Sequence, residues 1–291
     1  MAIHKPTKNL KGRLQAQLLL AGLLVIATPT YSQVEPQIDL EDYNLSYIYA
    51  AVMGSGTYKI DGRRITQLQA KFSWTQKEMT STDVGYSWVA PVGIGYDTVT
   101  DNDWLDTIFS ENLVTMSVMP GVIAQIPLND TWTLKPLGNL GAARDFTSEE
   151  TIVLGVLGLR ALGKWYLSDT EELRWGGGMR LAGEYQLKSY DSLAFTILET
   201  GIDYRRETGF DLLERKVNAG VYLLYQHYLP TWEITDTPIG RSEILSITEL
   251  GVSLGLRRPR KIMGIPINRF RVGYQRGKSF RGWTFGTEFP F

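Results

Sequence analysis

The chain ends on Phe280-Arg-Gly-Trp-Thr-Phe-Gly-Thr-Glu-Phe-Pro-Phe291, and the reading of this stretch decides the fold. Trp283, Phe285, Thr287, Phe289 and Phe291 recur at a spacing of two, with Gly282, Thr284, Gly286 and Glu288 between them. Successive side chains of an extended chain point to opposite faces. The alternation is therefore that of a strand with one face in an apolar medium. Water solvates an aromatic terminus such as Phe289 and Phe291 poorly, whereas lipid solvates the outer face of a closed barrel well. The competing reading is an edge strand of a soluble sheet, and the other end of the chain decides between them.

Lys5, Lys8, Lys11 and Arg13 precede an unbroken run of apolar residues and one glycine over 18–27. Thr30 and Ser32 then place small residues ahead of Gln33. This is the pattern of a secretory signal peptide over 1–32, with removal expected after Ser32. The run is well short of the roughly 20 residues that a spanning helix needs, and Pro29 stops it. Residues 33–291 are expected to form a single exported domain.

Composition narrows the classes further. The chain has no cysteine, which excludes a disulfide framework and thiolate chemistry. A net charge of −1 argues against a nucleic-acid partner. Beyond the leader no stretch is apolar enough to cross as a helix, but barrel strands carry a much weaker hydropathy signal. The 29 Gly, 15 Tyr and 8 Trp suit a barrel with interfacial aromatic girdles, and equally a soluble β-sandwich.

Repetition of the terminal pattern settles the fold class. Residues 64–75 alternate Thr66, Leu68, Ala70, Phe72 and Trp74 with Gln67, Gln69, Lys71 and Ser73. Similar alternation predicts strands over 84–96, 113–126, 131–143, 173–186, 215–228, 244–256 and 268–276. Residues 151–165 are more continuously apolar, but their glycines disfavour a helix. Residues 193–205 alternate with a slip near Glu199 and Thr200, read as a bulge. With a first strand over 43–54, which has a helical alternative beginning near Asp39, and the last over 280–291, twelve strands are expected. Twelve is even, as bacterial single-chain barrels require. The connections 127–130 and 167–172 are short, whereas 97–111 and 229–243 are long, as inner turns and outer loops should be. The long, basic connection 257–267 breaks that alternation. The fold expected is all-β, an antiparallel transmembrane β-barrel of about 12 strands.

Thr284, Gly286, Phe289 and Phe291 resemble the C-terminal signal by which bacterial outer-membrane barrels are recognised by their assembly machinery. The strand count, the leader and this signal together resemble the translocator β-domain of autotransporters. The resemblance implies a Gram-negative outer-membrane location and contact with outer-membrane lipid and lipopolysaccharide. In that family a passenger precedes the barrel and a helix threads it. Here about ten residues separate Gln33 from the expected first strand, too few at about 1.5 Å each to span a core of about 30 Å. A solitary autotransporter-like barrel without a passenger is therefore expected.

Chemistry-bearing motifs are sparse. His227 is the only histidine beyond the leader, and no serine motif accompanies it. A barrel enzyme acting on lipid or peptide at the membrane surface would use it as general base. The main expectation is instead a strand-end residue, no catalytic site, and no cofactor or metal. Gly158 to Lys164 has phosphate-loop spacing, but Trp165 stands where Ser or Thr would bind magnesium. Gly176, Gly177 and Gly178 read as close packing or strand curvature. Asp97, Asp101, Asp103 and Asp106 lack the glycine and terminal glutamate of a calcium loop. The alternation places Gln67, Gln69, Lys71, Arg174, Arg180, Glu184, Lys216, Asn218, Arg269, Arg271, Gln275 and Glu288 toward the lumen. Such a set either lines a wet pore or cross-links to close it, so a small pore or a structural membrane protein is expected.

Overall fold

The computed structural model describes residues 48, 52–60, 63–98, 113–146, 149–212, 215–237, 240–262 and 265–287. The expected leader, the acidic positions 101–106, Glu288, Phe289 and Phe291 lie outside them. Among the described residues thirteen strands are formed. They are β1 Ser55–Ile60, β2 Arg63–Lys77, β3 Gly85–Thr98, β4 Leu113–Val118, β5 Gly121–Pro127, β6 Trp132–Asp145 and β7 Thr151–Tyr166. The rest are β8 Glu171–Gln186, β9 Ser192–Leu212, β10 Arg215–Thr237, β11 Gly240–Ile262, β12 Ile265–Arg276 and β13 Phe280–Gly286.

β4 and β5 are two halves of one wall strand, both lying between β3 and β6. The ladder is interrupted at Met119 and Pro120 because proline has no N–H to donate. The gap is bridged by Met119 N donating to Pro91 O and Leu140 N donating to Pro120 O, each at 3.0 Å. The wall thus has twelve strands. Each pairs antiparallel with its neighbours, and β1 pairs with β13 from Ser55↔Phe285 to Ile60↔Phe280. The first strand meeting the last closes the sheet into a barrel and removes both edges. The closed twelve-stranded antiparallel barrel expected from the pattern is the observed fold.

The outer face carries exposed apolar side chains on every wall strand but β1, whose outward residues are Ser55, Thr57 and Lys59. Leu68, Trp88, Leu140, Leu157, Met179, Val221, Leu250, Val252, Leu254, Phe270 and Trp283 all stand exposed on it. Trp132 makes edge contacts with Trp165 and Trp175 at 5.5 and 5.4 Å, an aromatic cluster near one rim.

The lumen is divided along its length. At the end carrying the connections 149–150, 187–191 and 277–279 it is filled by Ile60, Ile65, Ile152, Leu154, Phe195, Ile197, Tyr228, Ile244, Ile247 and Phe280. Ile48 is fully buried among them, with Val52 and Met53 packed alongside. This end is closed. At the other end, carrying the connections 78–84, 128–131 and 167–170, the inward side chains are polar and surround a cavity.

Four expectations need correction. The first strand is not 43–54: Ile48, Val52 and Met53 are helical, and β1 begins at Ser55. Ser55-Gly-Thr-Tyr-Lys-Ile is short and small on its inward side at Gly56, which hides its alternation. The start at Ser55 also removes the arithmetic against a helix ahead of the barrel. Second, no bulge lies at Glu199 and Thr200. Residues 196–207 pair with β10 without a shift, and the irregularity falls between Lys216 and Asn218. The slip has another cause: Phe195 and Ile197 point into the apolar half of the lumen, while Glu199, Asp203 and Arg205 point into the polar half. Third, 229–243 is not a loop, because β10 and β11 stay paired out to Thr237↔Gly240. Fourth, 257–267 is likewise a paired hairpin of β11 and β12, ending at Ile262↔Ile265. That hairpin explains why its length broke the alternation of connections.

Candidate functional site: the polar half of the lumen

The cavity at the open end has a volume of about 810 Å³. Its lining includes ten Lys or Arg and six Asp or Glu, so positive charge is in excess. Strand alternation brings these residues together: each wall strand contributes every second side chain.

Three clusters organise the lining. In the first, Glu199 of β9 accepts from Arg160 Nε at 2.6 Å and from Arg180 Nη2 at 2.8 Å. Arg180 Nη1 also donates to Val52 O at 3.2 Å, and Ile48 N donates to Glu184 Oε2 at 2.9 Å. These two bonds tie the residues ahead of β1 to the wall of β8. In the second, Glu172 is surrounded by Arg174, by Lys164 at 3.4 Å and by Arg205 at 3.7 Å. Arg205 Nε also donates to Asp203 Oδ2 at 2.5 Å.

The third cluster centres on Glu249 of β11, which is almost fully buried. Its Oε1 accepts from Arg271 Nη1 at 2.5 Å, Tyr222 OH at 2.6 Å and Thr284 Oγ1 at 2.8 Å. Its Oε2 accepts from Gln275 Nε2 at 2.6 Å. Four donors from β10, β12 and β13 saturate one buried carboxylate, and charge-assisted bonds of this kind are the strong ones. Gly251 and Gly273 make room for it: a Cβ on Gly251 would meet Tyr222 Cζ at 2.4 Å, and one on Gly273 would meet Glu249 Oε1 at 2.4 Å. Nearby, Arg269 donates to Ser253 Oγ at 2.7 Å and to Asn218 Oδ1.

Of the residues assigned to the lumen by alternation, Gln69, Lys71, Arg174, Arg180, Asn218, Arg269, Arg271 and Gln275 line the cavity. Gln67 is buried in the wall and Glu184 lies at the closed half. Lys216 stands apart: it is largely exposed and pairs with Glu207 at 3.5 Å. Bulging between Lys216 and Asn218 displaces it from the inward register. Thr284 of the C-terminal signal is buried against Glu249, and Gly286 lies against Arg271.

Sequence reasoning missed Arg160, Glu172, Glu199, Asp203, Arg205 and Glu249. Glu249 had a signal, since it shares a small, polar face with Gly251, Ser253 and Gly255 opposite Leu250, Val252 and Leu254. Glu199 and Asp203 were masked by the change of phase along β9. His227 sits on the outer face, stacked on Tyr225 at 6.5 Å. Gly158 to Lys164 and Gly176 to Gly178 are strand residues of β7 and β8. A Cβ on Gly178 would meet Leu159 O at 2.6 Å, so close packing accounts for it.

No family model and no curated protein matches this sequence. Among solved structures, the chain is similar to the β-domain of the Bordetella autotransporter BrkA, with 11% identity and a TM-score of 0.51. That likeness covers 79% of this chain and 92% of the other. At such identity it concerns the fold alone: the chain folds as an autotransporter-like β-barrel.

Proposed function

We propose that this protein is a bacterial outer-membrane barrel, a small pore or structural membrane protein of the solitary autotransporter-like type, and not an enzyme. The observation that carries this reading is the outer face. A closed sheet whose exterior is apolar along the middle of β2 to β13, with most of its buried charge inside, suits a bilayer and not water. The similarity to an autotransporter β-domain supports the same location. His227 has no hydrogen-bonded or ion-paired side chain among the described residues, which favours a structural role over catalysis.

The divided lumen refines the pore reading. At rest the apolar half, with Ile48, Val52 and Met53 in it, blocks water, and the basic half forms a vestibule. Conductance across a planar bilayer tests this after refolding the chain from Gln33. The native barrel is expected to be silent, and a variant lacking residues 33–53 is expected to open in discrete steps that favour anions. Steady large steps from the native barrel would contradict a closed resting state, and a variant that inserts yet stays silent would assign the protein a purely structural role.

A further inference from the structure

A row of outward side chains at the closed end serves neither the lumen nor the apolar wall. Arg64 of β2 stands opposite Lys59 of β1, Lys59 opposite Arg281 of β13, and Arg281 opposite Arg276 of β12. Their strand neighbours Ile60, Ile65, Phe280 and Gln275 are buried inward, so the four cations share the outer face. Strands lie about 4.7–4.9 Å apart, so the row runs for roughly 14 Å. Lys278, exposed in the turn between β12 and β13, adds a fifth positive charge beside it. Like charges directly opposite one another destabilise a strand pair, and Arg276 opposite Arg281 is such a pair. Among the described residues, Arg276, Lys278 and Arg281 have no ion-pair partner.

The neighbouring row defines the depth. One step toward the middle of the wall, the same face carries Leu250, Tyr274 and Trp283 in register, with the two rings in edge contact at 5.2 Å. A basic row just beyond an aromatic one is the arrangement of a membrane–water interface. Between the rows lies a shallow depression of about 470 Å³, lined by Thr248, Leu250, Tyr274, Arg276 and Lys278. It offers cations and a hydroxyl above apolar side chains.

We propose that this row binds the phosphates of an anionic lipid headgroup, with the acyl chains lying along the apolar wall below. The guanidinium fork matches phosphate oxygens two at a time, and a bound polyanion would relieve the repulsion among Arg276, Lys278 and Arg281. The identity of the lipid rests on the outer-membrane reading. The long connection 99–112 falls at this end, which makes it the outward-facing one, and the phosphorylated lipid there is lipopolysaccharide.

The test uses the full refolded barrel in detergent micelles, with purified lipopolysaccharide as probe and the thermal unfolding midpoint as readout. The native midpoint is expected to rise with lipopolysaccharide. The variant Arg276→Gln/Lys278→Gln/Arg281→Gln is expected to need about tenfold more for the same rise. Dephosphorylated lipopolysaccharide and inorganic phosphate are each expected to leave the native midpoint unchanged. An equal response to the dephosphorylated lipid, or a response to phosphate alone, would overturn the site using the native protein only. So would an undiminished response from the folded variant. A native chain that fails to fold in micelles would instead remove the membrane reading itself, an outcome distinct from a folded barrel that ignores the lipid.

Discussion

At the scale of single residues, the wall is pinned where buried charge is fully satisfied. Glu249 is the clearest case, since its two oxygens take four donors from three neighbouring strands. Removing one member of a buried pair leaves an uncompensated charge, which typically costs about 3–5 kcal/mol. Glu249→Ala is therefore expected to lower the unfolding free energy by about that amount, because Arg271 is left buried beside Tyr222. Glu249→Gln keeps the shape and should cost less. Guanidinium unfolding of the refolded barrel measures both, and a Glu249→Ala change below about 0.5 kcal/mol would show that the cluster does not hold the wall. Thr284 belongs to this cluster. The residue singled out in the sequence for its place in the terminal pattern is thus also a structural partner of a buried carboxylate, which no spacing rule announces. Gln69, Lys71 and Arg271 were legible as inward residues because their strand neighbours are plainly apolar. Lys216 was not, because a bulge changes the inward count without leaving a mark in the residue types.

At the scale of elements, the lumen writes its own boundary into the strands. Where the interior is polar, alternation is clean, as in β2 and β12. Where the interior is apolar, both faces of a strand are apolar and the period of two fades, as in the run over 151–165, with Ile152, Leu154 and Val156 inward and Val153 and Leu157 outward. β9 crosses the boundary, and its phase inverts there. This predicts a contrast between neighbours. Ile197, fully buried, is expected to cost about 2–5 kcal/mol when truncated to alanine. Leu198, outward and well exposed, is expected to change unfolding by less than about 1 kcal/mol. Comparable losses at both positions would mean that the closed half is not a packed core. The long hairpins of β10 with β11 and of β11 with β12 were read as loops because Pro230, Pro238 and Gly240, and Pro259, Gly264 and Pro266, punctuate them as turn residues do.

At the scale of the whole molecule, a sheet closed by β1 and β13 has a largely apolar exterior and a lumen packed at one end and basic at the other. The closure and the class were legible because twelve alternating segments add up where one does not. Ahead of β1 the sequence offered a strand over 43–54 or a helix beginning near Asp39, and the described residues Ile48, Val52 and Met53 are helical. On the proposed function the exterior faces lipid and the vestibule faces water. The chain has no cysteine, so single substitutions Val252→Cys and Lys71→Cys carry a fluorescent label at one known place each. Quenching in vesicles is the measurement to make. Lipids brominated in their acyl chains are expected to quench the label at 252 and spare that at 71, while aqueous iodide does the reverse. Iodide quenching at 252 without any effect of the brominated lipid would contradict the account and return the protein to water.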